Sequence, residues 1–194
     1  AGRNVPLPQA CCSTTIELRG ELEVSHALAQ TDASAIEHWL AEMMSAGLAG
    51  DALMAYNDTQ AARLWALREH ISEAQKREGV SIKHDISVPV SRIADFLAAA
   101  DAALAAAYPG IRIVAFGHVG DGNLHYNLSR PDAQENGAFI ASQPAVNRIV
   151  HDIVHALDGS ISAEHGIGQL KREELQRYKS PVELAMMRTI KQAF

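Results

Sequence analysis

The chain has 194 residues, 47% of them apolar, with 23 acidic against 17 basic side chains and a net charge of −6. That length suffices for one domain with a sizeable core, and an acidic chain without a basic block has no footprint for nucleic-acid phosphates. The longest apolar run, residues 96–108, is interrupted by Asp101 and rich in alanine, too short and weakly apolar to cross a bilayer.

The start, Ala1-Gly2-Arg3-Asn4, runs into polar, Pro-containing sequence with no signal-peptide pattern. Cys11 and Cys12 are adjacent, a geometry that strains a disulfide, so they read as two free thiols at the start of a strand. This fits a cytoplasmic protein. The extended opening, and a close at Lys191-Gln192-Ala193-Phe194 inside a helical pattern, are expected of a piece of a longer protein.

Residues 14–18 (Thr-Thr-Ile-Glu-Leu) predict a strand. Thr31-Asp32 caps a helix with Ile36, Trp39, Leu40, Met43 and Met44 on one stripe, ended by Gly47 and Gly50. Residues 51–56 predict a second strand. Asn57-Asp58-Thr59 caps a helix running to about Arg77, with Leu64, Leu67, Ile71 and Ala74 along one face. After Gly79, residues 82–90 predict a strand. Ser91 caps a helix carrying Ile93, Phe96, Leu97, Ala100 and Leu104. Residues 111–117 and 123–128 predict two strands, followed by polar loop and a helix with Val146, Ile149, Val150, Ile153, Val154 and Leu157. A basic helix at 171–177 follows. Ser180-Pro181-Val182-Glu183 is a capping box with proline at the first helical position. Strands joined by long helices, with one tight hairpin, predict an α+β domain whose mostly antiparallel sheet is covered on one face.

The most informative stretch is Gly117-His118-Val119-Gly120-Asp121-Gly122-Asn123-Leu124-His125-Tyr126-Asn127. Asp-Gly is a strong signal for a two-residue hairpin turn. With that turn as centre, His118 pairs with His125, Val119 with Leu124, and the two imidazoles share a face that also carries Asn127. Such a pair is either half of a divalent-metal site or a hydrogen-bonded structural couple. A second motif, Ser160-Ile161-Ser162-Ala163-Glu164-His165-Gly166-Ile167-Gly168, follows the long helix. If it meets the hairpin, Glu164 completes a two-histidine, one-carboxylate set, and His165 stands beside it as a general base. His151 and His155 at i, i+4 lack the glutamate of a metalloprotease helix, with Asp152 after the first histidine. Gly117, Gly120 and Gly122 have the wrong spacing for a dinucleotide loop.

Together, His118-Val-Gly-Asp-Gly-Asn-Leu-His125 and Ser162-Ala-Glu164-His165-Gly-Ile-Gly168 resemble the paired signature of the FAD-linked oxidase C-terminal domain. That domain occurs in D-lactate, glycolate and D-2-hydroxyglutarate dehydrogenases of the vanillyl-alcohol-oxidase superfamily. The resemblance covers nearly the whole chain. It implies a ferredoxin-like antiparallel sheet covered by helices, with additional C-terminal helices. Residues 1–194 are then the substrate- and metal-binding cap on an N-terminal FAD domain.

The same resemblance implies His118, His125 and Glu164 as metal ligands, with zinc the first choice for that donor set, and His165 as catalytic base. It implies substrate contacts from Arg68 in Leu64-Trp65-Ala66-Leu67-Arg68-Glu69, from Ser72 one turn on, from Lys83 in Lys83-His84-Asp85-Ile86-Ser87-Val88-Pro89, and from Asn127. Tyr126 after the second histidine leans toward the D-2-hydroxyglutarate branch. The implied partners are a small 2-hydroxy acid, the FAD domain, an unspecified electron acceptor and a second copy in a homodimer. The electron acceptor could hold the protein peripherally at a membrane. The alternatives are a flavoprotein of the superfamily with other chemistry, such as a glycolate-oxidase-like or ether-lipid-synthase-like protein, and a non-catalytic metal-binding module.

Overall fold

A computed structural model describes residues 32–131 and 134–194; the expected strand at 14–18, the two cysteines and Thr31 lie outside them. The chain divides into two compact units, Ala1–Glu78 and Gly79–Phe194.

The described part of the first unit is helical: α1 (Asp32–Ser45), α2 (Asp58–Glu69) and α3 (Ile71–Glu78). Gly47, at φ +69°, lets the chain leave α1, and the Leu48 amide donates back to the Met43 carbonyl at 2.9 Å. Residues 51–56 are irregular, not the expected strand. Asn57 caps α2 by accepting the Gln60 amide at 3.0 Å. The single long helix expected beyond it is two, with the break at His70.

The second unit contains β1 (Ser81–Ser87), α4 (Ile93–Ala107), β2 (Arg112–His118), β3 (Asn123–Ser129), α5 (Asn136–Ala141), α6 (Gln143–Ala156), α7 (Arg172–Tyr178) and α8 (Pro181–Ala193). The strands form one antiparallel sheet in the order β1-β3-β2, confirming the α+β class. With α4 and α6 after β1 and β3, this order is that of a βαββαβ unit. The place of its last strand, beside β1, is taken by one antiparallel bridge between Ser87 and Ser160.

Period-two alternation divides the sheet into two faces. Ile82, Ile86, Leu124, Tyr126 and Leu128 point to the helix side and are buried. Phe96, Ala100 and Leu104 of α4, and Val146, Val150 and Val154 of α6, recur at four-residue spacing and are fully buried. The two helices pack on each other, and α6 packs on β1. Burying each large side chain contributes about 1.5–3 kcal/mol, which makes these stripes the main stabilising layer. Ser91 does not cap α4; it sits in a 3-10 turn, Val90–Arg92, that leads into the helix. Ser180 and Glu183 do form the expected capping box of α8.

Candidate active site

The other sheet face carries the candidate residues in three successive rungs. Lys83 pairs with Asn127, which pairs with Val114; Asp85 pairs with His125, which pairs with Phe116; Ser87 pairs with Asn123, which pairs with His118. Lys83, Asn127, His125 and His118 therefore share one face.

The connection between β2 and β3 differs from the expected two-residue turn. Residues 119–122 form a 3-10 turn, Val119–Asp121, closed by left-handed Gly122 at φ +77°. Asp121 Oδ1 accepts the Asn123 amide at 3.0 Å. His118 thus faces Asn123, and Gly117, rather than Val119, faces Leu124. Lengthening the connection by two residues shifts each pairing by two, and a two-residue shift preserves the face. The histidines stay on one side but are staggered diagonally by a rung.

The segment after α6 reaches this face. Its Ser160 amide donates to the Ser87 carbonyl at 2.8 Å, and the Ser87 amide to the Ser160 carbonyl at 3.0 Å. Asp85, only 5% exposed, then accepts three successive amides on Oδ2: Ala163 at 3.2 Å, Glu164 at 3.0 Å and His165 at 2.9 Å. Lys171 Nζ donates to the carbonyls of Ile161 at 2.7 Å and Asp85 at 3.4 Å. Burial pushes the Asp85 carboxyl up, but the amides of His165 and Glu164, the His165 ring and the Ala163 amide outweigh it and hold it below its ordinary range. Burial pulls the Lys171 ammonium down against the attraction of Asp85.

Held this way, Glu164 presents Oε1 3.4 Å from His118 Nδ1 and Oε2 3.6 Å from His125 Nε2. The His165 ring centre is 5.8 Å from that of His125, and its Nδ1 is 3.9 Å from Asp85 Oδ2. Phe116 flanks His125, ring centres 5.0 Å apart. The structure brings His118, His125, Glu164 and His165 together, with Lys83 and Asn127 paired on the rung next to His125. Arg68, half-buried in the last turn of α2, and Ser72, exposed on α3, belong to the first unit.

These residues suit a divalent cation. Tetrahedral bonds of ~2.1 Å separate neighbouring ligand atoms by about 3.4 Å, close to each Glu164–imidazole distance taken singly, with a different carboxylate oxygen facing each ring. Mixed imidazole and carboxylate donors match zinc and related first-row ions. Asp85 Oδ1 is buried, accepts no hydrogen bond and lies 3.9 Å from His125 Nδ1. Asp85, His125 and His165 form an overlapping set whose ligand atoms all fall within 4.8 Å of one another. Three amides already occupy Asp85 Oδ2, whereas Glu164 is 43% exposed and has one oxygen directed at each of two imidazoles. Among the described residues, Asp85, His125 and His165 are the set whose ligand atoms converge this closely, while Glu164 reaches His118 and His125 through separate oxygens.

The family model described as FAD linked oxidases, C-terminal domain, matches residues 10–194. The chain belongs to this family. Curated relatives of this FAD-linked oxidase domain include D-2-hydroxyglutarate dehydrogenases of Xanthomonas citri pv. viticola, 45% identical over 148 residues, and of Stutzerimonas stutzeri, 42% identical over 144 residues. These alignments cover 76% and 74% of the chain. A mitochondrial D-2-hydroxyglutarate dehydrogenase of Danio rerio is 35% identical over 170 residues, or 88% of the chain. The chain spans 31% of the length of each of these three relatives. Among the described residues of this FAD-linked oxidase domain, no helix is long and apolar enough to cross a membrane.

Sequence reasoning passed over Asp85 and Lys171. Asp85 left one trace, a carboxylate on the same strand face as Lys83. Lys171 left none beyond a basic helix start.

Proposed function

We propose that this chain is the cap domain of an FAD-dependent dehydrogenase that oxidises a D-2-hydroxy acid to the 2-oxo acid, with D-2-hydroxyglutarate the favoured substrate. The observation that carries the reading is the Glu164 carboxylate between His118 and His125, with His165 next in the chain. The names of the relatives support the substrate.

In this reading His118, His125 and Glu164 hold a divalent cation, zinc by donor chemistry. A bound cation supplies Lewis-acid polarisation of the substrate hydroxyl, and FAD, carried by the N-terminal part of the whole protein, supplies acceptance of a hydride. His165 receives the hydroxyl proton on an imidazole nitrogen, so proton and hydride together account for the two-electron oxidation. Lys83 and Asn127, opposite each other across β1 and β3, offer an ammonium and an amide to a carboxylate. The family resemblance implies substrate contacts from Arg68, whose guanidinium suits a carboxylate bidentately, and from the Ser72 hydroxyl.

The test is turnover by the intact flavoprotein with D-2-hydroxyglutarate, D-lactate and glycolate and an artificial electron acceptor. D-2-hydroxyglutarate should give the highest kcat/KM, and a chelator should abolish it. Failure to oxidise any of the three would end the dehydrogenase reading.

A further inference from the structure

Asp85 is a carboxylate withdrawn from water in the middle of a strand, and such burial costs several kcal/mol unless hydrogen bonds or charge offset it. Its two oxygens are used differently. Oδ2 gathers the amides of Ala163, Glu164 and His165, three consecutive donors converging on one acceptor. Consecutive amides aimed at one anion make a concave backbone nest, here occupied by a side chain of the protein itself. Oδ1 has no donor and faces His125 Nδ1 at 3.9 Å, leaving the opposite ring nitrogen turned to Glu164. A single carboxylate therefore touches the backbone of two candidate functional residues and faces the ring of a third.

Two further ties hold the same segment, the Ser87–Ser160 bridge and the Lys171 bond to the Ile161 carbonyl. Both act before residue 162 and leave the course of residues 163–165 undetermined. Among the described residues, the Asp85 nest supplies the hydrogen bonds to the backbone amides of residues 163–165, and from that turn the Glu164 and His165 side chains meet the sheet histidines.

We propose that Asp85 is the positioning residue of this site, curling residues 163–165 so that Glu164 and His165 meet the sheet histidines, and orienting His125 from behind. This rests on the reading of the site given above, and its test separates the two. In the intact flavoprotein, stripped of metal, amide hydrogen exchange is followed over residues 160–168 for wild type, Asp85→Ala and Asp85→Asn. Zinc affinity and kcat are measured alongside, with the flavin absorbance spectrum as the check on folding.

Asp85→Ala should speed exchange of residues 163–165 by about tenfold or more, with strands β1 to β3 unchanged. It should weaken zinc binding about 10–100-fold. Asp85→Asn keeps the shape and one carbonyl acceptor, and should lie between the other two in exchange and affinity. Glu164→Gln is the control: it should weaken zinc binding while leaving exchange at 163–165 as in wild type. Unchanged exchange in Asp85→Ala, or acceleration spread equally over the sheet, would overturn the positioning role. If Asp85→Ala frees the segment but Glu164→Gln binds zinc normally, positioning stands and the cation reading falls.

Discussion

Glu164 stands with Oε2 3.6 Å from Nε2 of His125, while its other oxygen lies 3.4 Å from His118. One carboxylate thus spans two histidines that belong to different rungs of the sheet. An amide in its place keeps the shape and loses the charge. Glu164→Gln should reduce zinc affinity of the intact protein by at least about tenfold, a loss of ~1.4 kcal/mol or more. Calorimetric titration measures it, and an unchanged Kd would remove Glu164 from the ligand set.

His165 is tied to Asp85 through its backbone amide, so its ring can be removed without undoing the turn. His165→Ala should lower kcat about 10²–10⁴-fold, the usual worth of a general base. Zinc affinity should change little. A variant with near-normal turnover, or one that loses its metal along with activity, contradicts the assignment of a base that is not a ligand.

Two buried histidines, His84 on β1 and His151 on α6, make stability depend on pH. Burial pulls the His84 imidazole down to about 4, against the bond to the Tyr126 carbonyl. Burial also lowers His151, against its pairing with Glu174. Both rings are neutral in the folded chain near neutrality, while the unfolded chain binds their protons from about pH 6.5 downward. Stability contributed by the neutral rings is therefore complete above about pH 6.5, falls as pH drops, and for His84 is gone below about 4. The His84 share is about 3 kcal/mol, the free-energy equivalent of lowering the imidazole from its ordinary 6.5 to about 4. Urea denaturation of wild type and His84→Gln between pH 7 and 4 measures it; equal slopes for both would show that His84 contributes nothing.

Gly122 closes the hairpin at φ +77°, and a Cβ there would overlap the Val88 carbonyl oxygen. The Val88 amide meanwhile donates to the Gly122 carbonyl at 3.1 Å. Gly122→Ala combines a disfavoured backbone conformation with a backbone clash and should cost about 2 kcal/mol or more. Equilibrium denaturation tests this, and a loss below a few tenths of a kcal/mol would mean that the turn relaxes freely.

The helices that build the core were legible because their stripes are long and periodic; Phe96, Ala100 and Leu104 lie where the pattern predicts. The face shared by His118 and His125 was legible too, although the turn was read two residues short. Asp-Gly serves both the two-residue turn and a longer one in which only glycine is left-handed, and nothing local chooses between them. Asp85 was illegible for a different reason. Its partner amides lie up to 80 residues away, and no local spacing rule reaches that far. The expected strand at 51–56 had suitable composition, but it pairs with no strand among the described residues. Composition alone supplies no cross-strand partner.

The end of β1 has a consequence for how this scaffold can change. Ser87 and Val88 bind the hairpin through Gly122 on one side and the post-helix segment through Ser160 on the other, and a Cβ on Gly159 would strike the Ser87 carbonyl. Two adjacent residues thus act as the common hinge pin for both arms of the site. In the proposed reading, chemistry is altered by exchanging side chains farther along either arm, at Asn127 or Glu164 for example. A length change in either arm next to the pin would misalign both at once, so substrate range should drift by substitution rather than by insertion or deletion there.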